Sequence, residues 1–340
     1  MRALLYREFS GPITVAEVAE PAAEPGTAVV RVAASGICRS DWHAWSGHDD
    51  SVPLPQVPGH EFAGTVAAAG PGVDPGWIGR RVTAPFVNGC GRCDWCRAGQ
   101  AQVCPFQTQP GFTHRGSHAE LVAVRAADTN LVALPDEVSD RAAAALGCRF
   151  ATAFRALTAH AQLAAGQWVV VYGAGGVGLS AVMIGAALGA QVAVVDRSAA
   201  ALQLAGRLGA AAVVPAGADA TAMVLDVTGG GAHVSVDAVG SPDTARDAVF
   251  SLRRRGRHVQ VGLFADQLPV LPMDRVIAWE LSVFGSHGMA AADYPALLEL
   301  VRSRTLRPDA LLGEPVDLAD AAPLIVNGTP AGITVLDPNR

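Results

Sequence analysis

The 340-residue chain contains no lysine. All 25 of its basic residues are arginine, and against 31 acidic residues they leave a formal net charge of −6. A preference for arginine codons accounts for the missing lysine, and no function attaches to it. The acidic balance argues against a nucleic-acid-binding surface. A signal-peptide core is also lacking, because the start, MRALLYREFSGP, has no apolar h-region. No apolar run reaches the length of a membrane span. The longest, LSAVMIGAALGAQVAVV, is broken by glycines and reads as a helix followed by a strand. Internal repeats and low-complexity segments are missing too. These absences predict a cytoplasmic, globular protein whose length suggests two domains. In a reducing compartment its six cysteines are metal ligands or core residues rather than disulfides.

What is present changes character along the chain. Up to about Asp140, runs such as GTAVVRVAASGI, EFAGTVAAAG and RRVTAPFV are strand-like and separated by Pro/Gly turns, with no dominant helical period. Beyond that, WVVVYG, QVAVVD, AAVVP, HVSVDAVG and RHVQVGLF read as buried strands alternating with helices. That alternation predicts a parallel, doubly wound sheet. From about His287 the pattern loosens into a helix, DYPALLELVRS, and a last strand, GITVLD. The basic run at 253–257, RRRGR, reads as a solvated loop before a strand.

VVVYGAGGVGLS carries Gly173, Gly175 and Gly178 in G-x-G-x-x-G spacing, after a strand and at the start of a helix. Gly173 permits the tight turn, Gly175 lets the backbone approach a pyrophosphate, and Gly178 allows close helix–strand packing. The helix N-terminus supplies N–H donors and a positive dipole end. Asp196 ends the next strand, where a carboxylate accepts from ribose hydroxyls and repels a 2′-phosphate. NAD is therefore expected over NADP. Arg197, directly after it, is suited to pair with a 2′-phosphate and keeps NADP open.

Cys90, Cys93, Cys96 and Cys104 follow C-x2-C-x2-C-x7-C spacing. Four thiolates close a tetrahedral site, so a structural zinc is expected, with an iron–sulfur cluster as the alternative. Cys38 and Cys148 stand alone in sequence and would each pass for a core residue. Yet PGHEFAG offers His60 and Glu61 between glycines. Cys38, His60 and Cys148 would make a Cys2His set, which leaves a zinc one open position for catalysis.

With these residues assembled, the chain resembles the zinc-dependent medium-chain alcohol dehydrogenases over essentially its full length. The landmarks are GICRSDWHAWSG, PGHEFAG, the cysteine lobe, LGCRFATAF and VYGAGGVG, in that order. The resemblance implies an α/β chain: a GroES-like β-rich catalytic domain with an inserted Rossmann domain. The catalytic domain would span 1–145, with a structural zinc lobe at 88–105. The Rossmann domain would span 146–286, and the catalytic domain would resume over 287–340. It implies two zinc ions per chain, NAD, a small alcohol or carbonyl substrate and a homotetramer or homodimer, with no membrane partner. The alternative is a carbonyl or polyol reductase using NADPH at the same zinc.

By the same resemblance, Cys38, His60 and Cys148 bind the catalytic zinc. Arg39 approaches the cofactor pyrophosphate, Ser40 takes the first proton from the alcohol, and His43 passes it to solvent. Asp41 holds the His60 imidazole, and Glu61 lies behind the zinc as a transient ligand. Gly176, Val177, Arg197, Val261, Leu263 and Ser286 join the three glycines and Asp196 around the cofactor. Trp45, Phe86 and Leu263 line the substrate pocket. Three positions depart from the family's habits. Ile333 stands where many members have a phosphate-binding arginine. Ala201 stands where many NAD-preferring members have a lysine. Cys148 is present where polyol dehydrogenases commonly use a glutamate, which favours simple alcohols. The histidines at 48, 114, 118, 160, 233 and 258 read as surface or structural, with His287 nearer the cleft.

Overall fold

Short β-branched runs punctuated by glycine and proline fold as antiparallel strands over the first part of the chain. In the computed structural model, which describes residues 1–264 and 267–340, these are β1 (Arg2–Leu5), β2 (Thr14–Glu17), β3 (Thr27–Gly36), β4 (Glu61–Ala69), β5 (Arg81–Thr83), β6 (Leu121–Arg125) and β7 (Val132–Ala133). Period-two patterning builds their core. Ala28, Val30 and Val32 of β3 meet Phe62 and Val66 of β4, Val82 of β5, and Val122 and Val124 of β6. The longest helix among these strands, α1 (Arg39–Ser46), lies between β3 and β4, where no helical period is visible in sequence. Its start is fixed by a polar cap instead. The Cys38 backbone N–H donates to Asp41 Oδ2 at 2.8 Å, and Gly47 ends the helix in the left-handed region.

Parallel strands and helices alternate next: β8 (Trp168–Tyr172), α2 (Gly176–Ala187), β9 (Gln191–Asp196), α3 (Ala199–Arg207), β10 (Ala212–Pro215), α4 (Ala220–Val227), β11 (Ala232–Asp237), α5 (Pro242–Phe250), β12 (Leu252–Gln260) and β13 (Ser282–Gly285). Their sheet runs β10-β9-β8-β11-β12-β13 with every pair parallel. The strand order reverses between β8 and β11, the doubly wound Rossmann arrangement. Val169, Val170 and Val171 are fully buried, as a strand covered on both faces requires.

The last strand, β14 (Val335–Leu336), is shorter than GITVLD suggests. It pairs with Gly36 and Ser35 and completes the antiparallel order β14-β3-β4-β5-β7, with β6 on the other half of that edge of β3. The basic run 253–257 is not a loop before a strand. It lies within β12, whose register against β11 jumps from Ala232↔Leu252 to Val234↔Arg257. The intervening residues bulge outward, Arg255 adopts φ +60°, and Arg253, Arg254 and Arg255 stay exposed.

Two units result. One comprises Met1–Ala151, Gly288–Arg304 and Leu311–Arg340, and the other Thr152–His287 and Thr305–Ala310. The first break falls after Ala151 rather than after residue 145. Residues 146–150 are bound to the first unit by Phe86 N donating to Gly147 O at 3.1 Å and by Tyr294 Oη donating to the Leu146 and Gly147 carbonyls. Among the described residues no helix is long and apolar enough to cross a membrane.

Candidate active site

Three segments of the first unit bring one potential ligand each to a common point. Cys38 caps α1, His60 enters β4, and Cys148 sits on a wide helical turn over Leu146–Phe150. The two thiol sulfurs and an imidazole nitrogen lie within 4.8 Å of one another. His60 Nδ1 is 3.1 Å from Asp41 Oδ1, which also accepts from Gly59 N at 3.0 Å. With Nδ1 donating to Asp41, which raises the imidazole's basicity, Nε2 is left facing Cys38, and that buried atom makes no hydrogen bond of ordinary geometry. An orphaned imidazole nitrogen facing two thiols is the donor set for a zinc ion, oriented by a carboxylate behind it. Cys38 alone of the three is partly exposed as a residue.

The charges around this point are tightly balanced. The Cys148 thiol donates to Cys38, holding Cys38 well below the ordinary thiol range and pushing Cys148 up. Two thiols this close share a proton until a cation replaces it. Burial alone would raise the Asp41 carboxyl, but His60 and His118 on either side hold it far below its usual value. His118 Nε2 lies 3.5 Å from Asp41 Oδ2, and its Nδ1 lies 2.9 Å from Ser35 Oγ, which in turn meets Ser117 Oγ at 2.7 Å. His118 is thus a buried structural residue that steadies Asp41.

Glu61 does not have the freedom expected of a transient ligand. Its Oε1 accepts from the backbone N–H groups of Cys148 (3.2 Å) and Arg149 (2.9 Å) and from Arg149 Nε (3.2 Å), while its Oε2 pairs with Arg149 Nη2. Burial pushes the Glu61 carboxyl up to about 7, with Arg149 pulling it down. Sequence reasoning missed Arg149 altogether. The only signal for it was a basic residue beside a buried cysteine in LGCRFATAF.

On α1, the Cys38 sulfur lies 3.8 Å from Ser40 Oγ, and the Arg39 guanidinium stacks 3.5 Å over the Trp42 ring. His43 Nδ1 meets His48 Nδ1 at 3.0 Å. Phe86 packs beside Cys38 and Cys148, with its ring 6.1 Å from that of His60. Trp45 is buried and its indole N–H donates to Gly11 O at 2.7 Å, so its polar edge is tied into its own unit. Ile333 is buried, and its N–H donates to Leu311 O.

The four-cysteine lobe is compact. Cys93 Sγ lies 3.5 Å from Cys96 Sγ and 3.7 Å from Cys104 Sγ. A tetrahedron with Zn–S bonds of about 2.3 Å has edges near these lengths, whereas a cluster of several irons would spread its thiolates wider. Backbone N–H groups of Cys90, Cys96 and Phe106 point at the sulfurs at 3.3–3.5 Å. Asn130 clamps Gly89 at the lobe's entry, donating to its carbonyl and accepting from its N–H.

The second unit carries the glycine loop. Gly173 has φ +95°, beyond the comfortable range of other residues. A Cβ on Gly178 would stand 1.7 Å from Gly173 O, so the turn packs directly on the helix. A Cβ on Gly175, the N-cap of α2, would meet no protein atom within 4 Å. The N-terminal end of α2, with Gly176 and Val177, is therefore open above Gly175, which suits a phosphate. Asp196 accepts from Ala174 N (2.6 Å) and Ser198 N (2.7 Å), which fixes its carboxylate against the loop, and Arg197 is exposed beside it. Ala201 is buried in the first turn of α3. At the ends of the neighbouring strands, Val261 N donates to Asp237 O, Ser286 N to Gln260 O, and Leu263 is 67 % exposed. Asp237, unremarked in the sequence, accepts from Val239 N, Gly240 N, Thr244 Oγ1 and Gln260 Nε2 and organises that edge.

Comparison with known proteins agrees with this anatomy. Residues 24–136 match the family model described as alcohol dehydrogenase GroES-like domain, and residues 176–303 match that of zinc-binding dehydrogenase. An alcohol dehydrogenase of Geobacillus stearothermophilus is 37 % identical over 279 residues, covering 82 % of both chains. The crystal structure of an NAD-dependent alcohol dehydrogenase superposes with a TM-score of 0.89 at 30 % identity, over 99 % of each chain. A zinc-binding dehydrogenase of Sinorhizobium meliloti 1021, bound to NADP, superposes with a TM-score of 0.88 at 26 % identity, also over 99 % of each.

Proposed function

The chain belongs to the zinc-dependent medium-chain alcohol dehydrogenases, and from that premise we propose that it transfers hydride between an alcohol and NAD, giving an aldehyde or ketone. The observation that carries the reading is the buried, unpartnered His60 Nε2 facing the thiols of Cys38 and Cys148. These three residues hold the catalytic zinc in this reading, and Cys90, Cys93, Cys96 and Cys104 hold a structural one. When bound, the catalytic ion supplies a Lewis acid that acidifies the alcohol.

The chain's own residues do the rest. Asp41 keeps the proton on His60 Nδ1 and aims Nε2. Ser40, beside Cys38, accepts the alcohol proton, and His43 takes it on toward solvent. Phe86 supplies the apolar wall next to the ligand set, with Trp45 as a further pocket residue. Gly173, Gly175, Gly176, Val177 and Gly178 receive the pyrophosphate. Asp196 receives the adenosine ribose. Val261, Leu263 and Ser286 border the nicotinamide half. The enzyme acts in the cytoplasm as a homotetramer or homodimer, which light scattering of the purified protein tests.

A second reading, a carbonyl or polyol reductase using NADPH, is favoured by the exposed Arg197 beside an Asp196 already holding two backbone N–H groups. The experiment that separates them is a panel of primary, secondary, aromatic and polyol substrates with NAD and NADP, followed at the absorbance of the reduced nicotinamide. Turnover of simple alcohols with NAD supports the first reading. Activity confined to polyols or carbonyls with the phosphorylated cofactor supports the second, and no turnover of any substrate with either cofactor refutes both.

A further inference from the structure

The three ligand candidates share a neighbour relation that has nothing to do with their spacing in sequence. Ile37 precedes Cys38, Glu61 follows His60, and Arg149 follows Cys148. The Arg149 guanidinium touches the other two members of this set. Nη1 donates to Ile37 O at 3.0 Å, Nε donates to Glu61 Oε1, and Nη2 pairs with Glu61 Oε2. Arg149 is 4 % exposed and Glu61 is fully buried. The space for the pair is made by a glycine. A Cβ on Gly36 would stand 2.6 Å from Glu61 Oε2 and 2.7 Å from Arg149 Nη2.

We propose that Arg149 is the positioning residue of the Cys38/His60/Cys148 site: its one planar guanidinium ties the three ligand-bearing segments together and holds the Glu61 carboxylate off the metal. This rests on the reading of those three residues as a zinc site. An arginine suits the task because its fixed fork can serve a carboxylate and a carbonyl at once, which a lysine ammonium on a flexible stem does not reproduce. Both Glu61 oxygens are engaged, by three donors on Oε1 and one on Oε2. To reach the ion the carboxylate would have to give up all four in a buried environment. Glu61 is therefore a fixed counter-charge, and the open coordination position is kept for substrate.

The test uses the full-length protein with two readouts that do not depend on turnover: the rate at which each zinc is lost to a chelator, and the visible spectrum after cobalt(II) replaces zinc at the Cys2His site. Arg149→Met is expected to release the catalytic-site zinc about 10–100-fold faster with lobe zinc unchanged. Its cobalt bands should weaken as the freed carboxylate adds a ligand. Arg149→Lys should fall between. The double variant Glu61→Gln/Arg149→Met should recover the strong four-coordinate cobalt bands but not the slow release, since the tie to Ile37 is still missing. If Arg149→Met cannot be isolated folded, the double variant, which leaves no unpaired buried charge, and Arg149→Lys carry the same comparison. Wild-type release and spectrum in every Arg149 variant overturn the inference. Bands in the double variant as weak as in Arg149→Met overturn the part assigned to Glu61. A wild-type protein that binds metal only at the four-cysteine lobe instead overturns the zinc-site reading beneath it, and does so before any variant is made.

Discussion

Two glycines three residues apart in the cofactor loop should respond oppositely to the same methyl group. In Gly178→Ala the new Cβ would lie 1.7 Å from the Gly173 carbonyl oxygen and 2.8 Å from its carbon. Both are backbone atoms, so strand end and helix must part. Overpacking of this kind costs about 1–3 kcal/mol, and contact with rigid backbone puts the change at the upper end. For a unit of this size that is a fall in Tm of roughly 6–12 °C. Gly175→Ala places its methyl where no protein atom lies within 4 Å, at φ −78°, which alanine adopts readily. Its stability should change by less than about 1 kcal/mol, since alanine narrows the unfolded ensemble but caps a helix less well than glycine. The methyl instead enters the space where the pyrophosphate would meet the start of α2. Losing one charge-assisted hydrogen bond there costs about 1.5–3 kcal/mol, or roughly 10–150-fold in Kd for NAD. Thermal melts with and without NAD, with titration of the reduced cofactor by its fluorescence, read both quantities. A Gly175→Ala protein that binds the dinucleotide like the wild type would show that the open space over Gly175 is not where phosphate sits. A loss of stability equal to that of Gly178→Ala would show that both glycines serve packing alone.

The remaining expectations are simpler. Metal analysis should find two zinc per chain. Cys38→Ser should lose one of them and all turnover with little change in melting, whereas Cys93→Ser should chiefly lower the melting temperature; equal damage to stability from both would remove the distinction between the sites. Asp196→Ala should weaken NAD binding far more than NADP binding, with a smaller common loss because Ala174 N and Ser198 N lose their acceptor; an unchanged preference in a titration with both cofactors would refute the ribose assignment. Stability should also fall in acid through His114, which burial and then Arg125 lower to about 4 from 6.5. Its folded pKa lies below its unfolded one, so the unfolded chain binds more protons between them, and stability is lost as pH drops from about 6.5 toward 4. Denaturant titrations of His114→Gln across that window should show a shallower slope than the wild type, and an identical slope would exclude His114 as a contributor.

What could be read from sequence was what is local. The cysteine lobe repeats within fifteen residues, and the glycine loop declares itself between a valine run and an alanine-rich helix. Cys38, His60 and Cys148 could be joined because a zinc donor set is chemically recognisable even when dispersed. The partners of those residues were not legible. Arg149 meets Glu61 across 88 positions, and Ser35 meets His118 across 83. Such contacts are made by the tertiary packing of distant segments, which leaves no periodic trace. The helix α1 was hidden for a related reason. Its start is defined by the Asp41 cap and its buried face includes that same aspartate, so the apolar stripe that normally marks a helix is missing. In 253–257, composition pointed to a loop, but the β11–β12 register absorbs the arginines as a bulge and keeps the strand.

The buried charges bear on the proposal that α1 carries the proton away. With a divalent ion bound, two thiolates cancel its formal charge, and Glu61 is cancelled by Arg149. Asp41 is the remaining anion. It is met by His60 Nδ1, the N–H groups of Cys38 and Gly59, and the nearby His118. Among the described residues, each of these buried charges therefore has a partner within its own unit. In such a low-dielectric site an unpaired charge is costly. The proposed reaction calls for an acceptor connected to water, and α1 offers a hydroxyl beside Cys38 in Ser40 and, one turn on, the imidazole pair His43 and His48, of which His48 is exposed. The same helix whose cap orients the metal ligands thus also carries the groups suited to lead a proton away. On that proposal the thiol, hydroxyl, carboxylate and imidazole crowded into residues 38–43 serve one site.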